Sequence, residues 1–345
     1  MQKFLIIQTA FIGDVVLATS LIEKLHFHFR DAQIDFLVRK GNESLLAGHP
    51  FVNEVIVWDK QKNKFFNLWK TIRFVRKRKY DKVINIQRFA STGLLTALSG
   101  AKETIGFDKN PFSFLFTKKI KHVIDDKENV KHEIDRNTEL VRHFSDSFIV
   151  RPRLYPSAND EAKVREFKTH EYMTISPASV WFTKQFPKEK WIELINALPF
   201  QGTIYLLGAL GDSPLAEAIK SGSTHPSVVN LCGQLSFLQS AALMKDAVMN
   251  YVNDSAPMHF ASAVNAPVTA VYCSTLPSFG FGPLSDIRRI VEVEEKLACR
   301  PCSLHGRKAC PLGHFDCAYK IKVQQLTAAL GPPAPKGGFS DALTR

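Results

Sequence analysis

Four charged residues stand where a chain could hold and activate a small anionic ligand: Asp14, Lys184, Asp212 and Asp254. Asp14 follows Gly13 in a turn, Thr9 to Asp14, that leaves the apolar run Phe4–Gln8. A carboxylate between a strand end and a helix start can take a proton from a hydroxyl. It can equally cap the helix. Lys184 belongs to the small-residue loop Ser176–Pro187, with Ser179 and Thr183. Hydroxyls and backbone N–H groups suit phosphate oxygens, and the lysine adds a point charge; the alternative is a plain loop with a solvated lysine. Asp212 ends Gly208-Ala209-Leu210-Gly211-Asp212. It could accept ribose hydroxyls or cap the helix that follows. Asn253-Asp254-Ser255-Ala256-Pro257-Met258-His259 opens another helix, with Ser255 as cap and Pro257 in its first turn. Its free N–H groups favour an anion. His259 could face that ligand or simply be packed.

A different chemistry is written near the end of the chain. Cys299, Cys302, Cys310 and Cys317 form Cys-x2-Cys-x7-Cys-x6-Cys. One Cys-x-x-Cys pair has zinc spacing, but the second half lacks a matching pair. A structural zinc therefore stands beside free thiols or disulfides as a reading, with His305 and His314 as spare ligands. Cys232 and Cys273, in apolar stretches, read as ordinary buried thiols.

Positioning such residues requires elements, and the hydrophobic pattern supplies them. Strands are predicted at Phe4–Gln8, Ile34–Val38, Glu54–Trp58, Lys82–Gln87 and Thr104–Gly106. Helices are predicted at Asp14–Phe29, Glu43–Ala47, Phe65–Lys77, Ser91–Leu98 and His132–Phe144. Arg151–Asp160, with Pro152 and Pro156, reads as a linker. Alternation then restarts, with strands at Tyr172–Ser176, Thr203–Leu207, Val228–Asn230, Ala247–Val252 and Val268–Tyr272. Helices fit Lys188–Leu198, Ser213–Ser221, Phe237–Lys245 and Met258–Val264. Strand–helix alternation predicts parallel sheets covered by helices. The expectation is an α/β protein of two doubly wound domains facing a cleft, residues 1–155 and 165–325, with a disordered tail at 331–345.

The 345 residues carry 45 Lys and Arg against 33 Asp and Glu, a formal charge of +12. Such a surface attracts anions: nucleic acid, an anionic leaflet or a phosphorylated substrate. Lys60, Lys62, Lys64, Arg73, Arg76, Lys77, Arg78 and Lys79 crowd one helical stretch, and Arg88 follows the next strand. They could steer an anionic partner or form a solvated face. No signal peptide pattern and no run of 18 apolar residues is present, so a cytoplasmic protein with at most peripheral membrane contact is expected.

Together the chemistry-bearing segments carry a family resemblance. Gly13-Asp14-Val15-Val16-Leu17-Ala18-Thr19 resembles the opening motif of glycosyltransferase family 9, which includes the lipopolysaccharide heptosyltransferases. Ala178-Ser179 with Thr183-Lys184-Gln185-Phe186-Pro187 resembles its diphosphate-side loop, and Asn253–His259 its Asn-Asp-Ser-Gly-Pro-Met-His signature. Ala256 stands where the family has glycine, and Phe186 where it has tryptophan. The resemblance implies a GT-B fold: two Rossmann-like domains facing a central cleft, with the donor in the C-terminal one. It implies an inverting transfer with Asp14 as general base, from an ADP-sugar, typically a heptose, to a lipid-linked inner-core acceptor. Donor contacts are then expected from Ser179, Thr183, Lys184, Asp212, Asp254, Ser255, Ala256, Met258 and His259. Acceptor contacts are expected from Gly13, Lys60, Lys64 and Arg88. Because Lys184 and a helix N-terminus can stabilise the leaving diphosphate, and no Asp-x-Asp motif occurs, no catalytic metal or other cofactor is expected. The anionic acceptor would bring the enzyme to the inner leaflet of the cytoplasmic membrane, without a nucleic-acid partner. Two alternatives are a nucleic-acid-binding protein with a zinc module at 299–317, and a sugar-nucleotide epimerase of similar architecture, which needs no acceptor.

Overall fold

The computed structural model describes residues 1–124 and 130–328. The expected disordered tail lies outside the described residues. Two six-stranded parallel sheets dominate the chain. The first contains β1 (Lys3–Ile7), β2 (Gln33–Arg39), β3 (Glu54–Trp58), β4 (Lys82–Asn85), β5 (Glu103–Phe107) and β6 (Lys118–Ile120), in the order β3-β2-β1-β4-β5-β6. The second contains β7 (Tyr172–Ser176), β8 (Thr203–Leu206), β9 (Val228–Asn230), β10 (Asn250–Asn253), β11 (Val268–Tyr272) and β12 (Arg288–Glu292), in the order β12-β11-β10-β7-β8-β9. Both sheets reverse direction of winding once, between β1 and β4 and between β7 and β10. In open α/β sheets, ligands bind outside the carboxyl ends of the strands at such a switch point. Asp14 follows β1, Arg88 follows β4, the Lys184 loop follows β7 and Asp254 follows β10. The connectivity alone therefore delivers these residues to two crevices.

Ten of the twelve strands were legible as apolar runs. The two that were not, β6 (Lys-Lys-Ile) and β12 (Arg-Arg-Ile-Val-Glu), are edge strands. An edge is half solvated, and charged residues protect it from pairing with other chains. Its sequence therefore lacks the apolar signature of a central strand.

The helices are α1 (Ile12–His28), α2 (Lys64–Arg78), α3 (Ala90–Ala97), α4 (Glu133–Val141), α5 (Ala158–Val164), α6 (Lys188–Ala197), α7 (Ser213–Gly222), α8 (Phe237–Lys245) and α9 (Ala256–Ala263), followed by two short ones near the end of the described chain. The expected linker is corrected in part. Ser157 caps α5, its hydroxyl accepting from the Asp160 N–H while the Asp160 carboxylate accepts from the Ser157 N–H. Residues 158–160 therefore already belong to a helix, and Ser-x-x-Asp was a start signal hidden among turn residues. Helix α1 is buried along Val15–Leu25, without a solvated face. Its cause is position: the first sheet lies on one side and α9 of the second domain on the other, so both faces are covered, and the polar Thr19, Glu23 and Lys24 among them find partners in Arg153, Tyr155 and Asp146. Leu17, Ile134 and Leu284 form a further small cluster across the same boundary. Among the described residues no helix is long and apolar enough to cross a membrane.

Candidate active site

At the mouth of the first switch point lies a cavity of about 820 Å³ walled by Gln8, Thr9, Lys60, Gln87, Arg88, His122 and Glu133, among others. Thr9 and Gln87, from the ends of β1 and β4, are joined by a 2.5 Å hydrogen bond, and the Lys60 ammonium donates to the Thr9 hydroxyl at 2.6 Å. Lys60 also lies 4.6 Å from the ring centre of Trp58. Burial, then the neighbouring Arg39 and Lys64, pull the Lys60 pKa down to about 8. This side of the site is basic and roomy.

A second cavity of about 320 Å³ opens against the C-terminal domain, bordered by Ser179, Lys184, Asp254, Ser255, Ala256 and His259. The loop after β7 is stapled to the start of α9 by Asn253. Its side-chain oxygen accepts from the Phe186 N–H at 2.9 Å, and its amide donates to the Pro177 carbonyl at 2.8 Å. Phe186 fills the space expected of a larger aromatic by packing edge-on against Trp191, ring centres 5.1 Å apart. Lys184 is consequently held at 2.7 Å from Asp254, whose carboxylate also accepts from Thr275 at 2.7 Å. The lysine is not a free point charge: Asp254 fixes its place and offsets part of its field. His259 is buried, its Nδ1 has no hydrogen-bond partner among the described residues, and burial lowers its pKa to about 4. It is a neutral imidazole with hydrogen-bonding capacity in reserve.

Asp14 borders both cavities, together with Phe11, Arg39, Trp181 and His305. Its carboxylate accepts from the Phe11 N–H at 3.1 Å, so the capping role is real. That bond leaves lone pairs free for a second partner. Burial first, and then the charge of Glu133, push its pKa up to about 6, against the lowering effects of the Phe11 bond and Lys184. A carboxylate poised near neutrality and reachable from two cavities is suited to take a proton from a hydroxyl on one side while a bond breaks on the other.

The expected site residues divide. Ser179, Lys184, Asp254, Ser255, Ala256 and His259 do meet at one cavity, and Lys60 and Arg88 at the other. Three donor-side expectations are displaced. Thr183 is fully buried, its hydroxyl used by the Arg307 N–H at 2.8 Å and the Ser274 hydroxyl at 2.9 Å. Met258 lies in the core beneath Tyr272. Asp212 caps its own turn, accepting from the Ala209 N–H at 2.8 Å, and borders neither cavity. On the acceptor side, Lys64 is exposed at the start of α2, away from the cavity wall. Gly13 faces the other domain: a Cβ there would come within 2.7 Å of His259. A side chain there would have to displace the buried His259 ring, whereas the α9 backbone, at Ala256 Cα, stands at an ordinary 3.8 Å. Sequence reasoning missed Arg39, Trp181, Glu133 and the placement of His305. Arg39 ends a strand on the carboxyl edge, a signal that was available; Glu133 and His305 are brought in by tertiary packing alone.

All four clustered cysteines border one small cavity, with His314 beside them. Among the described residues, however, no three His, Cys, Asp or Glu side chains are arranged as a ready ligand set. The loop bearing them is anchored by Arg300, which donates to the carbonyls of Tyr272, Cys273 and Thr275 and pairs with Glu292 at 2.6 Å. Its later part packs Gly306 against Trp181 and Lys184.

A family model described as glycosyltransferase family 9 (heptosyltransferase) matches residues 68–311. Lipopolysaccharide heptosyltransferase 3 of Escherichia coli is 26% identical over 279 residues, covering 77% of this chain and 82% of its own length. The structure of E. coli ADP-heptose lps heptosyltransferase II superposes with a TM-score of 0.77 at 21% identity, covering 95% of this chain and 97% of the other. That of E. coli heptosyltransferase WaaC with ADP gives a TM-score of 0.69 at 20% identity, covering 84% and 92%.

Proposed function

The chain belongs to glycosyltransferase family 9, and from that premise we propose that it moves a heptose from an ADP-sugar to an anionic, lipid-linked inner-core acceptor with inversion at the anomeric carbon. The observation that carries this reading is the place of Asp14, on the wall of both cavities. The acceptor hydroxyl enters from the basic N-terminal side, held by Lys60 and Arg88. Asp14 removes its proton as it attacks the anomeric carbon. The diphosphate leaves against Lys184 and the N-terminus of α9, where fixed donors offset the developing charge. His259 and Ser255 contact the donor. The relatives named above are heptosyltransferases, and one of the solved structures holds ADP. The direct test supplies purified protein with ADP-heptose and a deacylated inner-core oligosaccharide. Release of ADP with transfer of one heptose, and an inverted linkage by NMR, is the expected result; hydrolysis or interconversion of the nucleotide sugar without an acceptor would overturn it.

Two expected outcomes follow from the charges. The base must be unprotonated and the anion-holding lysine protonated. With Asp14 at about 6 and Lys60 at about 8, kcat/KM should rise through the first value and fall through the second. Lys60→Arg should keep the acidic limb and remove the alkaline one, and an unchanged alkaline limb would show that another group sets it. Transfer should also persist in excess EDTA, because Lys184 and α9 hold the leaving group. A complete loss reversed by magnesium would refute this. The four cysteines share one small cavity but are not arranged as a metal-ligand set among the described residues, and elemental analysis with thiol titration of the native protein should find them as free thiols rather than holding a structural zinc.

A further inference from the structure

Helix α2 presents an unusual outer face. Leu68, Thr71, Ile72 and Val75 are buried at helical spacing and fasten it to the first domain. On the opposite side, Phe65, Phe66 and Trp69 are 80%, 69% and 56% exposed. By the i, i+4, i+7, i+11 rule Phe66, Lys70, Arg73 and Lys77 share one side, and Phe65, Trp69 and Arg76 border it. The helix thus turns aromatic rings outward at its start and cations outward at its end. No Asp or Glu occurs between Lys60 and Lys79. Among the described residues Lys64, Lys70, Arg73, Arg76 and Lys77 have no ion-pair partner. Arg78, by contrast, is occupied by Glu54 and by the Phe74 ring, 4.7 Å away.

Exposing three large aromatic side chains side by side is costly in water and marks a surface that meets something apolar. Their neighbours specify what. Rings that are apolar at one end and sit among lysine and arginine match the boundary between anionic headgroups and acyl chains. We infer that α2 is a membrane-docking helix, with Phe65, Phe66 and Trp69 entering the acyl boundary of an anionic bilayer and Lys70, Arg73 and Lys77 pairing with its headgroups. The helix is also tied to the larger cavity. Asn67 donates to the carbonyls of Asp59 and Lys62, fixing the loop that carries Lys60 and Gln61 into the cavity wall. Docking by α2 would therefore set that cavity at the level of the headgroups, where a lipid-linked acceptor presents its sugars. The inference deepens the proposed function but its test is independent of turnover.

The test is vesicle co-sedimentation of the full chain with phosphatidylglycerol/phosphatidylcholine vesicles and with pure phosphatidylcholine, at fixed salt. Wild type should bind the anionic vesicles, with a blue shift of tryptophan emission and quenching by brominated lipid that Trp69→Phe abolishes without loss of binding. The triple variant Phe65→Ser, Phe66→Ser, Trp69→Ser and the triple variant Lys70→Glu, Arg73→Glu, Lys77→Glu should each bind at least tenfold more weakly. Both change only exposed side chains, so melting curves should match wild type, and transfer to a water-soluble acceptor should be unchanged. Binding of both variants at the wild-type level, or no emission shift on vesicles, would overturn the inference. So would sedimentation showing that the aromatic variant turns a dimer into a monomer while vesicle binding stays the same, which would assign the face to a second copy of this chain. If vesicle binding follows the expectation but no heptose is transferred, the proposed reaction fails and the docking face stands.

Discussion

Asp14→Asn should reduce turnover by roughly 10²- to 10⁴-fold, the range for losing a positioned general base, while ADP-sugar affinity stays within a few-fold. The amide keeps the size of the side chain and an oxygen to accept from the Phe11 N–H, so the start of α1 stays formed. What is lost is the ability to take a proton. Stability should move the other way. Asp14 has a folded pKa raised to about 6 from 3.8, so protonation favours the folded state between those values. Above about 6 the ionised, desolvated carboxylate destabilises the fold. Asn removes that charge, and the variant should melt no lower than wild type at pH 8. Turnover near the wild-type level would assign the base elsewhere; a variant that melts much lower would show Asp14 to be chiefly structural.

Lys184→Ala is expected to weaken ADP binding by about 1.5–3 kcal/mol, the cost of losing a hydrogen bond to a charged group, which is roughly 10- to 100-fold in affinity. The pair with Asp254 complicates the reading, because removing the lysine leaves a buried carboxylate that itself repels the diphosphate. The double variant Lys184→Ala, Asp254→Asn separates the two effects. If Lys184 contacts the diphosphate, the double variant recovers only part of the loss; if Lys184 only balances Asp254, the double variant binds ADP as wild type does. Calorimetry with ADP reads this directly, without an acceptor.

How much of this was legible beforehand depends on whether a residue's role is set by its neighbours in sequence or in space. Asp14, Lys184 and Asp254 follow apolar runs that could only be central strands, and the carboxyl edge of such a sheet is where ligands go. Thr183 shows the limit. It sits beside Lys184 in the same short loop, yet its hydroxyl is taken by Arg307, more than a hundred residues later, and nothing local announces that partner. Gly13 teaches the same lesson in reverse: expected among the acceptor contacts, it borders the smaller cavity instead, packed against His259 from the other domain. Glu133 reaches Asp14 because its helix is pinned to the second domain by the Gly280 carbonyl, 2.7 Å from the Glu133 N–H. The short, charged edge strands were invisible because most of their side chains stay partly or fully solvated, which leaves few apolar positions to mark them.

The contact of Gly13 with His259 has a mechanical meaning. Two domains enclosing a cleft can admit large substrates only by rotating apart, and rotation displaces each atom in proportion to its distance from the pivot. Here a methyl group on Gly13 would meet the His259 ring at 2.7 Å, one residue from Asp14 and next to the donor-side wall. A rotation about that contact would open the outer rim of the larger cavity to an oligosaccharide and would move the carboxylate and the imidazole, close to the contact, far less. Gly13→Ala should then behave as a wedge: it would alter the resting gape of the cleft, and with it product release, more than it would alter the chemistry at the carboxylate.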